Sequence, residues 1–388
     1  MKAGGARSIV LAIGDELLLG RTLDTNSAWL ADRLSVVGVP VSRMETVPDD
    51  HASIVGALRA ARSEAALVVT TGGLGPTDDD RTRAAIDEAV GEAEPFDEIP
   101  NARGTEPGRW VPPRGELGGV LALPGPPREM TTVFTAALDV VEAALGDRRR
   151  AVHTRTITTT GISERKLAPL LQPRIDGVEA VEIAFLPDLC GVDVRLTVRD
   201  RDPDEALRLL DSAQAEIAEI VAPWEVTSPS GDVVEALTDL LVERGWTLAV
   251  AESCTGGGIG ERMTARPGAS RVFLGGVIAY ADGAKASLLG VAPETIARHG
   301  AVSEEVAEAM ARGAARAFGA DCGIGITGIA GPGGGSDEKP VGTVCWAAHT
   351  PDATEVVARH FIGDREGVRR RSGEAALVQL LRMIERAR

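Results

Sequence analysis

Three side chains within one short span have the types needed to open an amide without imidazole or metal: Ser270, Tyr280 and Lys285. Tyr280 is the only tyrosine among 388 residues, and Lys285 is one of four lysines, with Lys2, Lys166 and Lys339. No histidine lies in the three stretches that share this chemistry: AESCTGG (251–257), PGASRVFLGGVIAYADGAK (267–285) and TGIAGPGGGSDEKPVGTV (327–344). A serine hydroxyl then needs another base. A desolvated lysine can serve, because a low dielectric disfavours the ammonium form, and a phenol bonded to both groups can relay the proton. The same residues also suit a helix-end serine, a half-buried strand tyrosine and a surface lysine. Chemistry alone leaves both readings open.

Other candidates carry similar ambiguity. The glycines of 327–344 directly follow an apolar strand pattern. Such a loop can gather backbone N–H groups around an anion, or simply turn the chain. It lacks the Gly-x-x-x-x-Gly-Lys-Ser/Thr pattern of a nucleotide-binding P-loop. Cys254, with no histidine beside it, reads as a small buried apolar residue rather than a nucleophile. Ser253 and Thr255 suit the cap of a following helix, with Glu252 next to them. Near the N-terminus, Asp78, Asp79 and Asp80 follow a glycine-rich turn. The helix dipole favours carboxylates there without any function. The alternative is a divalent cation held by Asp79 and Asp80 with Asp15 or Glu16, beside a pyrophosphate on the N–H groups of 72–77.

The elements that must position these groups fall into three segments. Residues 1–150 alternate strand and helix patterns: SIVLAIG, DTNSAWLADRLSVVG, PVSRMETV, HASIVGALRAARSEA, ALVVTTGG, RTRAAIDEAVG. That alternation predicts a parallel sheet covered on both faces, with ligands beyond the strands' carboxyl ends. Residues 91–119, rich in Pro and Gly, read as a long loop with short strands. Residues 151–228 predict a small α+β module, with VEIAFLP and GVDVRLTVRD as paired antiparallel strands. Residues 229–388 return to glycine-rich α/β patterning, with Ser303 capping a helix that turns Val306, Met310 and Ala314 to one face.

A net charge of −16 argues against a surface built to coat nucleic acid or anionic membrane. No apolar run reaches the eighteen or so residues of a membrane span, and no signal peptide is read at the N-terminus. Four scattered cysteines without a Cys-x-x-Cys pair predict free thiols in a reducing cytoplasm.

Taken in order, AESCTGG, GAS, YADGAK, HGAVSEEVAEAMA and GITGIAGPGGGSDEKPVGTV resemble the nicotinamide mononucleotide deamidase domain of the CinA family. GDELLLGRTLDTN, TTGGLGPTDDDRT and LPGPPREM resemble that family's molybdopterin-binding-like N-terminal domain, and the middle segment falls where members carry a KH-like module. The resemblance implies an α/β chain with a three-layer molybdopterin-binding-like domain (1–150), a KH-like α+β module (151–228) and an α/β deamidase domain (229–388). It implies hydrolysis of the carboxamide of nicotinamide mononucleotide with Ser270 as nucleophile, Lys285 as base and Tyr280 orienting and shuttling. Glu252, Ser253, Thr255, Gly256, Thr327, Gly328, Gly331, Gly333 and Lys339 are the implied substrate-binding set. No cofactor is implied for that reaction.

For the N-terminal domain the family implies a metal-dependent ADP-ribose pyrophosphatase. Asp15, Glu16, Asn26, Gly73, Gly75, Thr77, Asp79 and Asp80 are its candidates, the last two as metal ligands. The chain departs from the pattern after Gly91, where a helical stretch is shortened and Glu106 and Trp110 replace the usual Ala and Phe. A pocket wall is expected to be missing there. The family also suggests a homodimer. Two other readings are a non-catalytic competence or DNA-repair binding protein and a molybdopterin-binding protein.

Overall fold

A computed structural model describes residues 6–75, 80–91, 95–146, 149, 152–175, 180–199 and 201–387. The chain divides into two compact units. One is Met1–Arg155 with Ala180–Glu182 and Thr197–Ala213; the other is Thr156–Glu179 with Ile183–Leu196 and Gln214–Arg388.

The N-terminal elements run β1 (Ser8–Ile13), α1 (Asp15–Leu18), α2 (Thr25–Val36), β2 (Val41–Val47), α3 (His51–Glu64), β3 (Leu67–Thr71), α4 (Thr82–Val90), β4 (Asp97–Ile99), β5 (Gly108–Val111), β6 (Gly119–Leu123) and α5 (Pro127–Leu145). They build a six-stranded sheet of order β2-β1-β3-β6-β5-β4. Its core is two-sided because strand side chains alternate. Val10, Val69 and Leu121 join Leu30, Leu34 and Phe134 on one face, while Ile9, Leu11 and Val68 join Ile54, Leu58 and Ile86 on the other. Asp24 caps α2 by accepting the Ser27 N–H at 2.9 Å. The sheet is mixed, not wholly parallel as the alternation predicts: β4, β5 and β6 pair antiparallel. No helix separates these three strands, so the chain returns beside itself without the crossover a parallel neighbour requires.

The middle elements are β7 (Val152–Thr160), α6 (Glu164–Ile175), β8 (Glu182–Pro187), β9 (Gly191–Arg199) and α7 (Pro203–Val221), with strand order β7-β9-β8. The predicted strand pair is therefore adjacent.

The C-terminal elements are α8 (Val233–Arg244), β10 (Leu248–Glu252), α9 (Gly258–Ala265), a 3-10 turn (Ala269–Arg271), β11 (Phe273–Ile278), α10 (Asp282–Leu289), α11 (Pro293–His299), α12 (Glu304–Phe318), β12 (Cys322–Gly328), β13 (Thr343–His349), β14 (Thr354–His360) and α13 (Arg365–Arg386). Their sheet has the order β11-β10-β12-β13-β14. The first three strands are parallel and the last two antiparallel. The carboxyl ends of β10, β11 and β12 therefore lie at one edge. Ser303 caps α12 as the sequence predicts, and Val306, Met310 and Ala314 are all buried. Gly325 of β12 allows that helix to lie directly on the strand: a Cβ there would meet the Ala307 carbonyl oxygen at 2.4 Å. No helix of the described residues is long and apolar enough to cross a membrane.

Candidate active site

Ser253 directly follows β10, and Tyr280 and Lys285 follow β11. Ala279 donates its N–H to the Glu252 carbonyl at 2.7 Å, so the two strand ends are level. Thr327 and Gly328 close β12 at the same edge. Lys285, in the first turns of α10, is 2% exposed, which is rare for an ammonium-bearing side chain without a tight carboxylate partner. Its Nζ donates to the Tyr280 carbonyl at 3.3 Å and to the Asp282 carboxylate at 3.4 Å, both long bonds.

Ser270 is not brought to that pair within the chain. It lies in the 3-10 turn at the amino end of β11, whereas Tyr280 lies past its carboxyl end. The six extended residues between span about 20 Å. The Tyr280 ring is 62% exposed, and its hydroxyl receives a bond from Arg365 at 3.4 Å rather than from Lys285. The relay expected from Ser270 through Tyr280 to Lys285 is therefore absent as a continuous set of bonds. Ser253 is the serine at the lysine's edge. It is buried, its N–H donates to the Ile326 carbonyl at 3.0 Å, and its hydroxyl has no protein partner among the described residues.

The other candidates separate by role. Glu252 is 1% exposed and accepts from the N–H groups of Gly257, Ile259 and Gly260 at 3.0, 3.1 and 2.8 Å. An internal carboxylate thus fills the amino end of α9, and the amides of that turn are not open to a substrate oxyanion. Gly256 takes a left-handed φ of 62°, which glycine accommodates without strain. Thr327 donates its hydroxyl to the Ala301 carbonyl at 2.8 Å, and a Cβ on Gly328 would meet the Cys254 sulfur at 3.1 Å. Lys339 is not a free phosphate clamp: its Nζ donates to the carbonyls of His299 and Val302 at 2.8 and 2.7 Å. Gly331 stands against Val341 and offers its carbonyl to Arg365 at 2.7 Å, while Gly333 is exposed with open space around it. Thr255 is the exception, for its buried Oγ1 has no partner.

Two residues the sequence reading passed over complete the picture. Arg369 donates to the Thr255 carbonyl at 2.7 Å, and neither it nor Arg365 is ion-paired among the described residues. Both sit in the first turns of α13, where the dipole opposes cations. That reversal of helix chemistry, in DREGVRRR, was the available signal. Arg365, Arg369 and Thr255 line a cavity of about 930 Å³, together with Arg262 and Glu374, but Lys285 and Tyr280 do not.

Cys254 is not poised as a nucleophile. Burial, with the neighbouring Glu252 carboxylate adding to it, pushes its thiol up to about 12. Burial likewise raises Cys322 to about 12 and Cys190 and Cys345 to about 11. Native protein at pH 8 should therefore alkylate far more slowly than urea-unfolded protein, which should take up four equivalents of iodoacetamide. Because unfolded thiols ionise near 9 while the folded ones stay protonated, stability should fall as pH rises from about 9 towards 12. Thermal melts over that range check the sign.

In the N-terminal unit a pocket of about 420 Å³ opens at the carboxyl ends of β1 and β3. Glu16, Asn26, Asp49, Gly73, Gly75 and Asp80 line it. Asp15 does not; it exchanges bonds with Asp49 through their backbone N–H groups. Asn26 donates to Thr71 and to the Gly125 carbonyl, leaving its buried Oδ1 without a partner. Gly73 could not carry a Cβ, which would meet the Thr82 hydroxyl at 2.3 Å. Thr105 and Glu106, from the shortened segment expected to lack a wall, line the pocket, and Glu106 pairs with Arg83 at 3.2 Å. Thr77 and Asp79 lie outside the described residues. Among those described, no three acidic, histidine or cysteine side chains are grouped to hold a metal ion.

Fold and site together define an α/β protein of three sheets, with a pocket at the strand ends of the N-terminal sheet and, in the other unit, a cavity against α9 and α13 that neither Ser253 nor Lys285 lines. Family models match as a probable molybdopterin binding domain over residues 9–143, a damage-inducible protein CinA KH domain over 154–224 and a CinA C-terminal domain over 231–384. A CinA-like protein of Gemmatimonas aurantiaca is 40% identical, with 97% of this chain and 96% of that protein covered. A putative competence-damage inducible protein of Symbiobacterium thermophilum is 37% identical over 96% and 97%. Among solved structures, the competence damage-inducible protein A of Klebsiella pneumoniae is 37% identical, covering 39% of this chain and 93% of that one, with a TM-score of 0.38. The chain belongs to the CinA family.

Proposed function

We propose that the C-terminal unit hydrolyses the carboxamide of nicotinamide mononucleotide to nicotinate mononucleotide and ammonia. The observation that carries this reading is the 2% exposed Lys285 side chain at the same sheet edge as Ser253, a buried residue whose hydroxyl has no protein partner among the described residues. Ser253 Oγ attacks the carboxamide carbon while Lys285 Nζ takes its proton. The tetrahedral carbon then expels nitrogen as the lysine returns the proton, so ammonia leaves and an acyl-serine ester remains. Water, deprotonated by the same amine, cleaves that ester and regenerates the hydroxyl. This assigns to Ser253 the part that the resemblance gave Ser270. Arg365 and Arg369, cationic and without acidic partners among the described residues, suit the substrate's phosphate. The reaction needs no cofactor, and the free thiols suit a reducing cytoplasm.

A second reading attaches to the N-terminal pocket, where the unpaired Asn26 Oδ1 suits a ribose hydroxyl or exocyclic amine of ADP-ribose. A divalent metal there would offset pyrophosphate charge, with Glu16, Asp49 and Asp80 among the lining carboxylates. The described residues do not group three ligands there.

The test is purified protein incubated with nicotinamide mononucleotide, with ammonia and nicotinate mononucleotide both followed. Stoichiometric release of the two is expected. No release across a range of pH and salt rejects the reading and returns the binding-protein alternative; a parallel incubation with ADP-ribose and a divalent cation decides the second.

A further inference from the structure

The cavity of about 930 Å³ has a wall for which the deamidation chemistry has no use. It lies wholly within the second compact unit, among the carboxyl end of β7, the turn from β8 to β9, and helices α9 and α13. Local bonds fix the wall that the middle module contributes. Thr159 donates its hydroxyl to the Val192 carbonyl at 2.6 Å, and the Gly161 N–H donates to the Cys190 carbonyl at 2.8 Å. Gly191 lets the turn lie against β7, since a Cβ there would meet the Thr159 carbonyl oxygen at 1.8 Å. The turn is thereby held with Asp188, Cys190 and Asp193 lining the cavity.

The polar groups of the lining divide into satisfied and unsatisfied sets. Arg262 is ion-paired with Glu374 and Asp232, and Thr160 donates its hydroxyl to Glu374 at 3.4 Å, so that part is balanced internally. Arg365 and Arg369 stand one turn apart on α13 and have no ion pair among the described residues. Asp193, half-buried on β9, has none either. Thr255 is 2% exposed and lines the same cavity with its hydroxyl oxygen unpartnered. A buried hydroxyl left unbonded is costly, so it marks a place for a polar atom from outside the chain.

Two guanidiniums a turn apart match the oxygens of a phosphate monoester. A carboxylate on another wall accepts hydroxyl donors, and a ribose diol presents two of them side by side. The exposed Glu261, Glu366 and Arg370 add a net negative charge, so the two arginines balance one phosphate and not a chain of them. We infer that this cavity binds a single phosphorylated ribose, its phosphate on Arg365 and Arg369 and its diol on Asp193, so that the middle module is a recognition wall and not a spacer. The Thr255 hydroxyl bonds the same ligand. Where that ligand is the phosphoribosyl end of nicotinamide mononucleotide, the inference rests on the deamidation reading; where it is a free sugar phosphate, it does not. Arg369 also donates to the Thr255 carbonyl, which links an occupied cavity to the turn that carries Ser253.

The test titrates the full chain with ribose 5-phosphate and with 2-deoxyribose 5-phosphate by calorimetry, which needs no turnover. Ribose 5-phosphate should bind about tenfold more tightly, because one hydroxyl bond to a carboxylate is lost with the deoxy sugar. Asp193→Ala should bring the two sugars to equal affinity with the melting temperature kept, and Arg365→Gln with Arg369→Gln should remove binding of both. Bound sugar should also slow alkylation of Cys190, the half-buried thiol among four. Competitive inhibition of ammonia release assigns the site to the substrate's own phosphoribosyl end. Binding without inhibition, or in a chain that releases no ammonia, assigns it to a free sugar phosphate. Absence of binding, equal affinity of the two sugars for the unaltered protein, or a difference that survives Asp193→Ala overturns the inference. So does Cys190 alkylation indifferent to bound sugar.

Discussion

Replacing Ser253 with alanine should reduce ammonia release from nicotinamide mononucleotide at least about a thousandfold, whereas Ser270→Ala should retain turnover within about tenfold. The two variants separate the serine that motif order favours from the serine that strand geometry favours. Ser253 is buried at the carboxyl end of β10, its hydroxyl without a protein partner among the described residues. Alanine removes the attacking oxygen and little volume, so melting temperature should be nearly unchanged. Ser270 is exposed on a turn at the other end of β11, about 20 Å of strand from the edge that holds Lys285. Single-turnover acylation distinguishes the roles further: Ser253→Ala should form no covalent adduct, and Ser270→Ala should form one. The reverse pattern, with Ser270→Ala dead and Ser253→Ala active, sinks the assignment.

The objection to Ser270 was already legible in the sequence. The residues between Ser270 and Tyr280, RVFLGGVIA, read as a strand, and an extended chain of that length cannot return its ends to one place. The alternation of residues 1–150 likewise carried the parallel part of the first sheet, and Asp24 and Ser303 carried their caps, because these signals are local. What stayed hidden depends on distant partners. Nothing in AESCTGG says that Glu252 fills the amides of the turn after it. Nothing in SDEKP says that Lys339 bonds the carbonyls before α12. The antiparallel edges of both sheets follow connections that hold no helix, which the sequence carries only as missing periodicity. Arg365 and Arg369 were visible as an anomaly: three consecutive arginines in the opening turns of a long helix run against its dipole. A structural role would have favoured acidic residues there.

Lys285→Met should abolish turnover while leaving the protein folded, and Lys285→Arg should not rescue it. The side chain is almost wholly inside the C-terminal unit, with only two long bonds at its nitrogen, to the Tyr280 carbonyl and Asp282. Methionine keeps nearly the same volume and replaces a buried polar nitrogen that makes only two long bonds, a change that costs little. A structural lysine would therefore tolerate methionine, with activity falling only modestly. A lysine acting as base would not: loss of a general base on which nucleophile activation depends costs about a thousandfold or more. Arginine keeps the positive charge but remains protonated at any working pH, so it can attract a phosphate yet cannot accept a proton from serine. The three-way comparison therefore divides charge from basicity. Activity restored by arginine would make Lys285 an anion holder, and activity retained by methionine would remove it from the chemistry altogether.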